Sequence, residues 1–486
     1  MDPHWHNLFS NINVSEHIFE ALIKLDADSR VIPGLAASWR LVDPTTWEFT
    51  LREARFHDGS PLTVDDVFYS IDRVPRVVGS PGTFAIYTKA IAAKQKISEK
   101  IFRFKTAEPY PLMLNDLTTV FIVKKAAVEG ATQEEMGVGA KGMVGTGPYR
   151  FAKFVRDDRV ELARNPLYWG QRAPYQSVTL RFIPNNAARV AAMLSNDVQA
   201  IDNVPTPDLE RIRNDKNLAF FSKVSHRVIY LNIDFREKSP YVTAKDGSAL
   251  PANPLRDLRV RKAINLAINR EAIADRVMQG LSVPSLNLVP ATMFGYNPNL
   301  KVSRPDPEAA RKLLTEAGYP SGFAMTLHSP NNRYVNDEQI AQTLAGMLGR
   351  IGIAVKVETM PLSVYFPRGN KLEFSFSLLG WGAQTGEVSS PLRAILMTRD
   401  AGKGWGSNNW GSYSNAQFDA VVVQALAIVD DVKRSALLQQ ATQVALDDLA
   451  IIPIHLQVTT WAARNGVDYV PRTDERTYAF NFKPTP

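Results

Sequence analysis

An indole, a side-chain amide, hydroxyls and a carboxylate lie close together in one stretch of this 486-residue sequence, Leu379 to Ile395, which reads LGWGAQTGEVSSPLRAI. Trp381 offers a flat apolar wall, Gln384 and Thr385 offer neutral hydrogen-bonding groups, and Glu387 is the only charged acid. Three glycines in the same stretch let the backbone come close to a bound molecule. Asn408, Asn409, Trp410 and Tyr413 make a second group of amides and rings, with Trp405 among glycines just before it. Such a set grips apolar surface and fixes orientation with a few hydrogen bonds, which is the chemistry of a binding pocket. The competing readings are core packing for Trp381, exposed loop polarity for Gln384 and Glu387, and loop packing for the second group.

Bond-making chemistry has weaker support. The chain has no cysteine, so disulfides, thiolate metal sites and cysteine nucleophiles are excluded. Of the histidines, His4 and His6 alternate, while His57, His226, His328 and His455 are scattered, and no H-E-x-x-H pair exists. A hydrogen-bonded structural imidazole is the expected role of each, and no metal site or cofactor is expected. G-x-S-x-G is absent and no motif sets a base beside a nucleophile, so a hydrolase is not expected. The glycines at 145 and 147 lack the lysine-hydroxyl pair of a phosphate loop.

Composition points to a folded chain with several cores: 45% hydrophobic and 22% charged residues. No apolar run reaches the roughly 18 residues of a membrane span; Val421 to Val429 and Ile451 to Ala463 are interrupted by Gln424, Pro453 and His455. The net charge of +7 comes without the basic, aromatic-interleaved stripe of a nucleic-acid face, so it reads as a solvated basic surface, with a weak attraction to anionic membrane as the alternative.

The elements that must position these groups alternate between strand and helix. Trp39 to Leu41 and Trp47 to Leu51 read as a hairpin around Asp43-Pro44, and Thr63 with Asp66 has capping-box form ahead of a helix. Ser15 to Leu25 reads as an amphipathic helix, Ala126 to Val138 as a small polar helix, and Leu258 to Ile268 as a helix with its arginines outside. Strands are expected at Val228 to Ile233, Phe323 to His328, Ile353 to Thr359, Phe374 to Leu379 and Ile451 to Leu456. Helices are expected at Gln339 to Gly349, Asn415 to Val429 and Val432 to Leu449, with an irregular tail from Trp461. The pattern is that of an α/β fold.

Several of these segments carry a resemblance. Pro33-Gly34-Leu35-Ala36, Ser38-Trp39, Trp47, Phe49, Leu51-Arg52 and Phe56-His57-Asp58-Gly59 through Val67 closely resemble the opening signature of the peptide/nickel-type solute-binding proteins of bacterial ABC importers, the dipeptide- and oligopeptide-binding group, family 5. Phe19-Glu20-Ala21-Leu22, Gly145-Thr146-Gly147-Pro148-Tyr149, Asn165 to Trp169 and the run from Pro254 to Arg270 resemble further signatures of that family. The resemblance implies a two-lobed periplasmic binding protein, type II and cluster C-like. Residues 1–32, 146–232 and 457–486 would form lobe I, 33–145 an inserted subdomain packed on it, and 233–456 lobe II. A hinge near Asn232 and Leu456 would close the lobes on a ligand in the cleft between them.

The same resemblance implies a periplasmic monomer that delivers a peptide-like or other small polar solute to ABC permease subunits. The opening Met-Asp-Pro-His-Trp carries no export leader, which is expected to have been removed. Asn7, Phe9 and Asn11 fall where the family's first lobe reaches the cleft. In peptide-binding relatives an aspartate soon after the tryptophan pairs with the ligand's ammonium; here Gln384 or Thr385 stands at that place, and Glu387 reaches it only if the loop folds back. Simple di- and tripeptides are therefore expected to be poor ligands. A modified peptide, an opine-like conjugate or a glycoside is expected instead, with a nickel chelate or a chemoreceptor partnership as alternatives.

Overall fold

The computed structural model describes every residue except 1, 81, 133, 134, 137–140 and 486. The chain divides into two units: the first is Met1–Ser222, Ala427–Val429 and Thr460–Pro486, and the second is Lys223–Leu426 and Asp430–Thr459. Two long strands, Leu218–Ile233 and Ile451–Arg464, carry the chain across the two main boundaries.

In the first unit the expected hairpin is present as Ala36–Asp43 and Thr46–Leu51, extended by Ile101–Lys105 and Ala93–Lys96 into a four-stranded antiparallel sheet. Alternation decides which face is buried: Trp47, Phe49 and Leu51 point inward with Phe102 and Phe104, and Phe49 stacks on Phe102 at 5.4 Å. Helix Val64–Arg73 covers this face with Val64, Val67 and Ile71. It starts at a capping box in which Thr63 accepts from the Asp66 N–H and Asp66 accepts from the Thr63 N–H. A second sheet, Tyr149–Val155, Arg159–Arg164 and Ser177–Arg181, turns Val160 and Leu162 toward the same core.

Four of the signature segments converge here, and their meeting is architectural. The buried Glu20 carboxylate accepts from Thr146 Oγ1 (2.9 Å), Trp169 Nε1 (2.9 Å) and Tyr168 OH (3.1 Å), and pairs with Lys24. Burial, then the Glu20 charge, pushes the Tyr168 phenol up to about 12. His57 Nδ1 accepts from the Gly145 N–H at 3.2 Å, so its Nε2 carries the proton and donates to the Gly147 carbonyl at 3.1 Å. Asn165 Nδ2 donates to that same carbonyl at 2.9 Å. Gly147 N–H in turn reaches Ile18 O at 2.9 Å, and a Cβ on Gly145 would overlap the Ile18 carbonyl oxygen. The glycines serve close backbone approach.

The structure corrects four local expectations. The helix expected at Ser15 to Leu25 is Phe9–Ile18, and the chain is extended from Phe19 onward. The backbone groups of Glu20 to Leu22 bond instead to Ile122, Leu35, Gly34 and Ala36, so tertiary pairing overrides the helical spacing. Of the arginines expected outside helix Leu258–Ala267, Arg261 is buried. It donates to the carbonyls of Asp448 (2.9 Å), Leu255 (3.0 Å) and Arg256 (2.7 Å) and lies over Phe235. Burial therefore pulls its guanidinium below the usual range. The chain after Trp461 is not irregular: the strand runs to Arg464, and Val467–Tyr469 pairs with Phe482–Pro484. The polar helix expected at Ala126 to Val138 is the short Lys125–Val128, and positions 133, 134, 137 and 138 lie outside the described residues.

The second unit is built on a mixed sheet. Strand Ala324–Pro330 runs parallel to Ala354–Met360 on one side and to Phe376–Gly382 on the other, and the last of these pairs antiparallel with Leu218–Ile233. One face packs Ile229, Leu231, Leu327, Phe376 and Leu378 under helices Leu258–Ala267 and Asp337–Gly349. The other packs Val228, Tyr230 and Leu379 with Tyr365, Phe374, Trp410 and the helices Ala416–Leu426 and Asp431–Asp447. Both faces are apolar, as a sheet with parallel strands requires.

Candidate ligand site in the second unit

Strand order marks a candidate ligand position inside the second unit. From Ala324–Pro330 the chain passes through helix Asp337–Gly349 to Ala354–Met360 on one side. From Phe376–Gly382 it continues toward Ile451–Arg464, which lies on the other. Connections that leave neighbouring parallel strands in opposite directions open a crevice at the strands' carboxyl ends, where α/β sheets bind ligands. The loops at that point are 331–336 and 383–388.

The first loop was not singled out in the sequence. Asn331, Asn332 and Arg333 are exposed, and Tyr334 is buried. Asp337 Oδ2 accepts from the N–H groups of Arg333 (2.9 Å) and Tyr334 (3.0 Å), which fixes the turn. Tyr334 OH donates to the Gly380 carbonyl at 3.2 Å and so ties this loop to the neighbouring strand. A Cβ at Gly380 would run into the Tyr334 ring, which is why that strand position is a glycine. The Arg333 guanidinium lies 5.2 Å from the Tyr334 ring centre. The readable signal was the polar N-N-R-Y run directly after an apolar strand.

The second loop holds Gln384 and Thr385, and Trp381 lies at the end of the strand before it; all three are half-buried. Trp381 Nε1 donates to Ser390 Oγ at 3.1 Å, so the loop folds back over the indole. Gly386, with φ +79°, closes a turn whose N–H reaches the Ala383 carbonyl at 3.0 Å. Glu387 does not join them. It is 1% exposed, and its carboxylate binds the buried Arg434 and the Ser389 hydroxyl.

Asn409, Trp410 and Tyr413 belong to the packed interior of the same unit. Asn409 Nδ2 donates to the carbonyls of Met397 (3.0 Å) and Tyr413 (2.8 Å), and its Oδ1 accepts from the Tyr413 N–H (3.1 Å). Trp410 is 2% exposed among Tyr365, Phe366 and Phe374 and donates to Asn370 Oδ1 at 3.2 Å. Tyr413 OH donates to Asp448 Oδ2 at 2.9 Å; burial first, then that carboxylate, pushes its phenol well up. Loop packing, the competing reading of this group, describes these contacts.

Asn7, Phe9 and Asn11 lie together in the first unit. Asn7 Nδ2 donates to Tyr87 OH (3.1 Å), Asn11 Nδ2 donates to His6 O (3.0 Å), and Phe9 opens helix Phe9–Ile18, half-buried. Among the described residues no group of three or more histidines and acids is arranged to hold a metal. His4 and His17 are buried and bonded to the carbonyls of Phe121 and Asn13. Among the described residues no helix is long and apolar enough to cross a membrane.

Comparison with known proteins agrees with this architecture. Residues 30–403 match the family model described as bacterial extracellular solute-binding proteins, family 5 Middle. A dipeptide-binding protein of Escherichia coli K12 is 27% identical over 451 residues, covering 87% of this chain and 80% of that protein. Among solved structures, the periplasmic binding protein DppA from Helicobacter pylori in complex with the peptide STSA has a TM-score of 0.79 at 22% identity, covering 99% of this chain and 95% of the other. The binding protein AgaA from "A.tumefacien R10", in complex with agropinic acid, has a TM-score of 0.75 at 22% identity, covering 100% and 96%. The fold is thus the two-lobed α/β fold of periplasmic binding proteins, and the chain belongs to the family 5 bacterial extracellular solute-binding proteins.

Proposed function

We propose that this protein is the solute-capturing component of an ABC importer, working as a periplasmic monomer that hands its cargo to permease subunits without chemical change. Its cargo is a small polar solute with carboxylate, hydroxyl or amide groups and no need of a protein counter-charge for an ammonium. The observation that carries this reading is the state of the 383–388 loop. Gln384 and Thr385, the loop's neutral polar groups, are half-buried, while its acid, Glu387, is engaged by Arg434 and Ser389. Arg333, at the opposing loop, is a candidate partner for a carboxylate. Trp381 supplies the apolar wall.

An ordinary peptide brings an ammonium whose burial without a partner charge is costly. One structural relative holds agropinic acid rather than a peptide. Calorimetric titration with free dipeptides, the same peptides N-acetylated, and opine-type sugar conjugates tests the reading. The expected result is micromolar or tighter binding of a hydroxylated conjugate, with turnover absent, and no preference for the free amine. Micromolar binding of free-amine peptides that disappears on N-acetylation overturns it.

A further inference from the structure

Arg434 bears on cargo charge through Glu387. Glu387 is the only acid between Trp381 and Ser390, and both it and its partner are almost fully enclosed, with side chains 2% and 3% exposed. The guanidinium comes from helix Asp431–Asp447, and its carbon lies 5.0 Å from the centre of the Phe294 ring. Ser389 Oγ donates to the same carboxylate oxygen that Arg434 Nη2 binds. The backbone is held as firmly: Glu387 bridges to Phe294, and the Val388 N–H donates to the Phe294 carbonyl at 3.1 Å. Gly295 leaves the space that Val388 fills.

An acid placed three residues beyond Gln384 on a crevice loop would be the natural counter-ion for a cationic ligand group. A carboxylate enclosed in the unit, its charge already paired with a guanidinium, is not placed to serve as that counter-ion. We propose that Arg434 is a specificity-determining residue: by holding Glu387 inside the second unit it withdraws the loop's acid from the ligand site and sets the carrier against ammonium-bearing solutes. This inference rests on the placement of the cargo at the 383–388 loop.

The test compares wild type, Glu387→Gln, Arg434→Met and the double variant Glu387→Gln/Arg434→Met. Each is titrated with alanyl-phenylalanine and with N-acetyl-alanyl-phenylalanine after a circular dichroism melt establishes folding. The readout is the ratio of the two association constants. In Arg434→Met the released carboxylate is expected to raise the preference for the free amine at least tenfold. The double variant returns the ratio to that of wild type, and Glu387→Gln alone leaves it unchanged. A folded Arg434→Met protein with an unchanged ratio overturns the proposal, and so does a wild-type preference that collapses in Glu387→Gln. If Arg434→Met does not fold, the Glu387→Gln ratio decides alone. Tight wild-type binding of the free peptide that survives Glu387→Gln contradicts both the cargo reading of the previous section and the role of Arg434, whereas weak wild-type binding with an unchanged ratio in folded Arg434→Met overturns the role of Arg434 alone.

Discussion

Trp381 and Trp410 look alike in the sequence, and replacing each by alanine separates a ligand wall from a core. Trp410 is 2% exposed, its ring set among Tyr365, Phe366 and Phe374, and it lies so close over Gly369 that a Cβ there would enter the indole. Burying an aromatic ring of about 150–250 Å² at roughly 25 cal/mol per Å² gives about 4–6 kcal/mol of transfer free energy as an upper bound. Measured tryptophan and phenylalanine truncations in cores lie at about 3–5 kcal/mol. We therefore expect Trp410→Ala to cost about 3–5 kcal/mol. At about 2–4 °C per kcal/mol for a body of roughly 150–250 residues, the transition of the second unit falls by about 6–20 °C. Trp381 is only half-buried and keeps one side-chain hydrogen bond, to Ser390, so about 2–3 kcal/mol is expected by area as an upper bound. The assay is urea unfolding followed by far-ultraviolet circular dichroism, paired with calorimetric titration of solute. Trp410→Ala should lose the more stability and keep its affinity while folded, and Trp381→Ala should lose affinity with the smaller loss of stability. A Trp410→Ala protein that loses under 1 kcal/mol yet no longer binds solute refutes the assignment.

Two further outcomes follow from the first unit and one from the second. Burial pulls the imidazoles of His4, His17 and His57 down to about 4; Arg73 adds to the effect at His4, and the Gly147 carbonyl opposes it at His57. Between pH 6.5 and 4 the unfolded chain binds protons there that the native chain does not, so stability is full above 6.5 and falls on acidification by up to about 1.4 kcal/mol per pH unit for each histidine. Urea midpoints at pH 7, 6 and 5 check this, and a flat profile contradicts it. Gly145→Ala should destabilise the first unit by clash with the Ile18 carbonyl, whereas Gly346→Ala in helix Asp337–Gly349 meets nothing within 4 Å and should stabilise the second by about 0.5–1 kcal/mol. Thermal melts of the two variants decide both.

What could be read from the sequence was what local spacing determines. The Thr46–Leu51 hairpin strand and the Thr63 capping box depend on residues within a few positions of one another, and both stand where the pattern put them. Arg261 could not be read so, because the carbonyl that receives its Nε belongs to Asp448, 187 residues away. The short pair Val467–Tyr469 and Phe482–Pro484 was hidden for a similar reason: three-residue strands carry too little alternation to announce themselves. The site was half legible. Trp381, Gln384 and Thr385 stood out by type and by the glycines around them. Arg333 and Tyr334 gained meaning only once the strand order placed their loop across from that one. The engagement of Glu387 by Arg434 is a contact over 47 residues that no motif announces.

The central claim, that this carrier takes a polar solute without a free ammonium, is tested most directly by what it already holds when purified. Native mass spectrometry of the protein, followed by denaturing release and fragmentation of the bound species with and without amine labelling, gives the answer in one sample. The account predicts one small hydroxyl-, amide- or carboxylate-rich solute per chain that takes no amine label. Added back at about a hundredfold over its dissociation constant, it should stabilise the stripped protein by about 2.7 kcal/mol. A bound population of peptides with free, labelled amino termini would contradict it.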